Sequence, residues 1–158
     1  MQAGWYHTGS ATTRRSVMFV DPLKSFPGYA LRRASAASMA KLSRELSTVK
    51  LRPSEATVLL VIEANPEVTQ SEIGQALDIA GANMAPLVGR LAERDAIERR
   101  PVDGRSHGLR LTDSGRTLAQ RVRRIMQTHE DGLLAKIPRA QRALFLECLR
   151  TLWSNDEQ

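Results

Sequence analysis

The sequence predicts a mainly α-helical fold with one small β-hairpin, and three observations predict it. Apolar residues recur at helical spacing through most of the 158 residues. Only residues 97–111 switch to strand-like alternation around a Gly-containing turn. Capping and stop signals at Ser54, Asn65-Pro66, Thr69, Thr112 and Pro138 divide the remainder into helices of ordinary length. The length suits about one domain with a real core, and 42% hydrophobic with 25% charged residues marks a globular chain.

Residues 1–24 are expected to form a flexible arm: Thr8 to Ser16 is small, polar and basic, and Ser16-Val-Met-Phe-Val20 is a short apolar run that could instead clip onto a partner subunit. Pro27-Gly28 opens the first helix, with Leu31, Ala34, Met39, Leu42, Leu46 and Val49 near helical spacing. Its stretch from Lys24 to Arg44 contains Lys24, Arg32, Arg33, Lys41 and Arg44 with no acid, and the small residues of its middle would let another helix approach closely. Ser54 is expected to cap the second helix, Glu55 to Ala64, which Asn65-Pro66 stops. Thr69-Gln-Ser-Glu72 is a capping box that starts a short third helix bearing Ile73, Ala76 and Leu77. A tight turn at Ile79-Ala80-Gly81, with Gly81 free to take unusual backbone angles, leads to a fourth helix, Asn83 to Arg94, with Met84, Leu87, Val88 and Leu91 buried. Two short helices joined by such a turn form a helix-turn-helix.

Ile97 to Val102 reads as a strand, Asp103-Gly104-Arg105-Ser106 as a turn, and His107 to Leu111 as the return strand, with Pro101 on an edge. Thr112 caps a fifth helix carrying Leu118, Val122, Ile125, Met126, His129 and Leu133, punctuated by Gly132 and Pro138. A last helix, Arg139 to Trp153, shows Leu144, Cys148, Leu149 and Leu152 on one face.

Composition excludes several functions. Lys plus Arg total 23 against 17 acids, a net charge of +6, so the chain either meets a polyanion or presents a solvated basic surface. Aromatic residues are only 4%, too few for a single-strand stacking surface. The single Cys148 permits no internal disulfide and no thiolate metal cage; it reads as a small core residue, or as a redox cross-link if its helix lies in a dimer seam. No apolar run approaches the ~20 residues of a membrane helix, and no signal-type stretch opens the chain, so a cytoplasmic protein is expected. His7, His107 and His129 lack partners at metal-ligand spacing, and the P-loop, GxSxG and HExxH patterns are missing. No catalytic residue, metal or cofactor is therefore assigned.

A helix-turn-helix followed by a two-stranded basic hairpin is the layout of a winged helix. A helix fits the major groove of duplex DNA, where base edges carry a full donor and acceptor code. Residues 79–92 contain no acid and one Arg, and Arg99, Arg100, Arg105 and Arg110 on the hairpin can follow the backbone or enter a minor groove. Thr69, Gln70 and Ser71 sit at a helix N-terminus, whose free N–H groups suit a phosphate in addition to capping. Arg52, Ser54, Ala82 and His107 are placed on the same DNA-facing surface.

The run Leu77-Asp-Ile-Ala-Gly-Ala-Asn-Met-Ala-Pro-Leu-Val-Gly-Arg-Leu-Ala-Glu-Arg-Asp-Ala-Ile-Glu-Arg-Arg100, then Asp103-Gly-Arg-Ser106, then Leu111-Thr-Asp-Ser-Gly115, resembles the MarR (multiple antibiotic resistance regulator) family over roughly residues 27–153. The resemblance implies a homodimeric repressor of a palindromic operator. Residues 25–52 and 116–158 would form an interleaved dimerisation region and 53–115 the DNA-binding domain. It also implies that Arg105 contacts DNA from the wing tip and that Asp103 holds that tip. Asn83 would face the groove, the alternative being a helix cap. Arg90 would be a DNA contact, the alternative a solvated helix Arg. Pro86 stands where many relatives carry a polar groove residue, and Asp95 where Gly is usual. A small ligand would sit between the first, second and fifth helices. Arg32, Arg33, Ser38, Lys41 and His129 are the candidates for it, and their charge suits an aromatic carboxylate or its coenzyme A thioester. Solvated cations and a core histidine are the plainer alternative. A ligand-independent architectural or activating DNA-binding protein is the rival function, and a dry interface between the first and fifth helices would support it.

Overall fold

A computed structural model describes residues 21–101 and 107–153. In chain order they form α1 (Pro27–Ser47), α2 (Pro53–Ala64), β1 (Val68–Thr69), α3 (Gln70–Ala76), α4 (Gly81–Glu93), β2 (Ile97–Pro101), β3 (His107–Leu111), α5 (Asp113–Leu134), a 3-10 turn (Arg139–Gln141) and α6 (Arg142–Trp153). The mainly helical fold with a small sheet is the predicted one. Helix α2 is its hub, packed on α1, α4, α5 and β3. Leu46, Val58, Leu59, Ile62, Ile73, Met84, Leu91, Leu109 and Val122 are fully buried around it. The apolar stripe read for the fourth helix is the buried one: Met84, Leu87, Val88 and Leu91.

The sheet has three strands in the order β1-β3-β2, not the two of a simple hairpin. Val68 pairs with Leu109 and Thr69 with Gly108, while β2 runs antiparallel from Ile97↔Leu111 to Pro101↔His107. Pro101 lies on the edge strand, where its missing N–H removes no ladder bond. The start of α5 is held against the turn between α4 and β2 by a close approach at Gly115. A Cβ there would stand 1.8 Å from the Ala96 carbonyl oxygen, so only glycine lets the helix start against the α4–β2 turn.

Several expectations are corrected. Ser54 does not cap α2: Pro53 takes the first helical position, for which its fixed φ is suited, and Arg52 is the cap residue. The Glu55 carboxylate accepts the Arg52 N–H at 2.8 Å in place of a serine cap. Gly81 is not the left-handed residue of the helix-turn-helix turn; Asp78 is, with φ 51°. The turn therefore closes two residues earlier, α4 starts at Gly81, and Asn83 lies inside the helix rather than capping it. Pro86 consequently sits in the second turn, where it leaves the Ala82 carbonyl without its usual amide donor. Asp95 does terminate the region in the left-handed conformation, φ 53°. Gly132 lies within α5 rather than ending it. Cys148 is exposed, not a core residue. Of the expected arm, residues 1–20 lie outside the described residues, and so does the 103–106 turn. Asp21 is tied to α1, accepting the Tyr29 hydroxyl at 3.2 Å.

Candidate nucleic-acid interface and ligand cleft

The helix-turn-helix is built from its caps inward. Thr69 Oγ1 accepts the Glu72 N–H at 3.3 Å, and the Glu72 carboxylate accepts both the N–H and the hydroxyl of Thr69 at 2.8 Å. Those two donors hold the Glu72 carboxyl below its ordinary range. With α3 fixed against α4, the stripe Met84–Leu91 turns into the core, and Ala82, Asn83, Ala85 and Pro86 are left exposed on the outer face. Small side chains around Asn83 would let a groove come close to the helix.

The sheet register assembles a second feature. Because Thr69 pairs with Gly108 and Arg99 with Leu109, the start of α3 faces the strands across a cleft of about 220 Å³. Thr69, Gln70, Ser71, Arg99 and His107 line it, five residues separately assigned to DNA contact in the sequence. Gln70 Nε2 is buried in the protein with no hydrogen-bond partner among the described residues. Arg100 sits on β2 paired with Glu98 at 3.0 Å, and Arg110 on β3 pairs with Glu67 at 3.3 Å. Asp103 and Arg105, the expected wing-tip pair, lie outside the described residues.

Arg90 has a role that neither sequence reading contained. Its Nε donates to the Glu55 carboxylate, which is 5% exposed and also holds the Arg52 N–H. Burial pushes the Glu55 carboxyl up, but the Arg52 N–H and the Arg90 guanidinium outweigh it and hold the pKa below 4.5. The pair thus ties the outer helix α4 to the start of α2, where Arg52 and Ser54 are exposed. Arg94 makes a comparable tie: its guanidinium donates to the Val49 and Lys50 carbonyls of the α1–α2 loop. Residue pairs this far apart in sequence leave no local signal, so Glu55 and Arg94 were not foreseeable as clamps.

Between α1 and α5 lies another cleft, of about 200 Å³. Three of the expected ligand residues, Ser38, Lys41 and His129, line it together with Gly132, Leu133 and Lys136. No residue of α2 contributes, although a site between the first, second and fifth helices was expected. His129 is 3% exposed and bridges Ser38 Oγ and Glu45 Oε2, each at 2.9 Å. Lys41 reaches Glu45 at 3.6 Å. A Cβ at position 132 would stand 3.1 Å from Lys41 Nζ, so glycine there makes room for the ammonium group. Arg32 and Arg33 are elsewhere: both guanidinium groups lie over the Tyr29 ring, at 5.3 and 5.7 Å, and Arg33 is 3.9 Å from Asp21. Lys136, in the turn that follows α5, was missed because it lies beyond the helical stripe from which the other candidates were read.

A helix-turn-helix with a pendant antiparallel sheet and exposed, small-residue α4 defines a winged-helix DNA-binding protein. Residues 49–106 match the model of the MarR family. The transcriptional repressor CouR, in a structure bound to a 23-mer DNA duplex, is 34% identical with a TM-score of 0.80, over 88% of this chain and 100% of that one. CouR bound to p-coumaroyl-CoA is 31% identical with a TM-score of 0.78, over 88% and 99%. The HTH-type transcriptional repressor Rv2887 of Mycobacterium tuberculosis is 27% identical over 131 residues, 81% of this chain and 94% of that protein. The chain belongs to the MarR family of winged-helix transcriptional regulators. Its relatives are regulators of transcription and not enzymes. Among the described residues no helix is long and apolar enough to cross a membrane.

Proposed function

We propose that the protein is a cytoplasmic, homodimeric repressor that binds a palindromic operator and is released by a small anionic aromatic ligand or its coenzyme A thioester. The observation that carries the DNA reading is the placement of five candidate contacts around one cleft between the start of α3 and the sheet. Asn83 and the neighbouring Ala82 and Pro86 would enter the major groove, and Thr69, Gln70, Ser71, Arg99 and His107 would hold a phosphate at its edge. Arg105 and Asp103 would extend the contact from the wing tip. Arg52 and Ser54, joined to α4 through Glu55 and Arg90, would flank it, and Arg100 would add charge along the backbone.

The dimer reading rests on apolar surface. Phe26, Leu31 and Met39 on or beside α1 and Leu144 and Leu152 on α6 are 44–70% exposed in the single chain. A second copy covering them would form the dimerisation region of residues 25–52 and 116–158, with 53–115 as the DNA-binding domain. Each operator half-site would then receive one α4, the two about one helical turn, ~34 Å, apart. The ligand reading rests on the α1–α5 cleft, whose Lys41 and Lys136 would attract an anion. The relatives' complexes with p-coumaroyl-CoA and with salicylic acid support that chemistry. A cleft between α1 and α5 also disfavours the ligand-independent alternative, which calls for a dry interface there.

A gel shift against the promoter it regulates is the test. Wild-type protein is expected to retard the fragment and to release it on addition of the aryl ligand, and Arg105→Ala is expected to bind more weakly. Unchanged binding by that variant would remove the wing from the account.

A further inference from the structure

The α1–α5 cleft holds a buried titratable group for which ligand binding alone gives no use. Both ring nitrogens of His129 are engaged, Nδ1 with Glu45 Oε2 and Nε2 with Ser38 Oγ, each at 2.9 Å. An ionised carboxylate only accepts, so Nδ1 carries a proton in either charge state of the ring. Nε2 is what differs. In the neutral ring it accepts, and the Ser38 hydroxyl must direct its one proton at it. In the imidazolium it donates to Ser38 Oγ, and the hydroxyl proton is freed to turn elsewhere. Ser38 lines the cleft, so the freed proton has a ligand position to face.

We propose that this cleft binds a carboxylate-bearing ligand together with one proton: His129 takes the proton from solvent, its hydrogen bond to Ser38 reverses, and the Ser38 hydroxyl donates to the ligand carboxylate. No covalent bond other than the new N–H is formed. The inference rests on the ligand-responsive reading above and adds the regulation of that site. The charged groups around the ring fit it. From α1, Glu45 balances an imidazolium directly, and Lys41, 3.6 Å from Glu45, faces the cleft. Just past the end of α5, Lys136 faces the cleft, and from α5 Arg124 lines a separate groove with Glu45. The two lysines draw an anion in but disfavour a third positive charge; the arriving carboxylate offsets that repulsion, so anion and proton bind cooperatively.

The experiment is calorimetric titration of the full-length protein with salicylate and with uncharged benzamide, at pH 7.5 in two buffers of different ionisation enthalpy. Salicylate is expected to bind with uptake of a substantial fraction of a proton per site, and its affinity to rise several-fold from pH 8 to pH 6; tenfold per pH unit is the ceiling for one proton. Benzamide is expected to bind more weakly with no uptake. Ser38→Ala, which removes the hydroxyl and keeps the cleft, is expected to lower both salicylate affinity and uptake, and His129→Gln to abolish uptake. Salicylate binding without uptake, or full uptake in Ser38→Ala or His129→Gln, overturns the relay and leaves the ligand reading standing. Failure of salicylate and of p-coumaroyl-CoA to bind at all overturns the ligand reading, and the relay with it.

Discussion

Removing the Arg90 guanidinium tests how the outer helix is held. Glu55 is 5% exposed and keeps two named donors, the Arg52 N–H at 2.8 Å and Arg90 Nε. Arg90→Ala would leave the carboxylate with the backbone donor alone. Losing one partner of a fully buried pair costs about 3–5 kcal/mol. The Arg90 side chain is 38% exposed, so water screens the pair and re-solvates the carboxylate; the discounted cost is about 1–2 kcal/mol. For a chain of this size that lowers Tm by about 2–8 °C. The pH dependence carries a second signature. Glu55 has its folded pKa below its ordinary 4.5, so its stabilisation is complete above that pH and is lost as pH falls through the folded value. In Arg90→Ala the depression shrinks, and the acid-side advantage of wild type over the variant disappears as Glu55 protonates. Thermal melts from pH 7 to pH 3 read both effects. A variant with wild-type Tm at pH 7 and a parallel pH profile would refute the clamp, as would a deficit that persists unchanged at pH 3.

Other perturbations read other links. Gly115→Ala places a methyl 1.8 Å from the Ala96 carbonyl oxygen, backbone that cannot rotate away, so denaturant melts should register a loss of about 3 kcal/mol or more. Asn83→Ala should cost about 1–3 kcal/mol of operator affinity while leaving non-specific DNA binding nearly unchanged, in fluorescence anisotropy on both duplexes. Equal losses on both would make Asn83 a backbone contact. Arg99→Ala should weaken operator and random DNA alike and reduce the slope of log affinity against log salt by about 1, whereas an unchanged slope would remove it from the phosphate path.

What the sequence disclosed and what it hid divide along physical lines. The Thr69–Glu72 box and the Thr112 cap are local devices, set by side chains bonding backbone within four residues, and both were legible. The α4 stripe was legible because one buried face imposes its own period. β1 was not, since two residues have no periodicity and exist as a strand only through their pairing with β3. Ser54 and Gly81 misled for a shared reason: residue type suggested a cap and a turn, but neighbours Pro53 and Asp78 took the decisive backbone positions. For the site, Thr69, Gln70, Ser71, Arg99 and His107 share one cleft, and Ala82, Asn83 and Pro86 lie exposed on α4, placements that follow from the sheet register and the buried α4 stripe. The Glu55–Arg90 tie and the gathering of Ser38, Lys41 and His129 without Arg32 or Arg33 depend on helix packing, which spacing along one chain does not encode.

Hydroxyl-radical footprinting of the selected operator examines the central claim most directly. The account requires two identical subunits presenting α4 one helical turn apart. It predicts two protected backbone patches related by a dyad, their centres about 10 base pairs or a multiple of it apart, both lost together on addition of the ligand. A single unsymmetrical patch, or two whose spacing falls between whole turns, would contradict it.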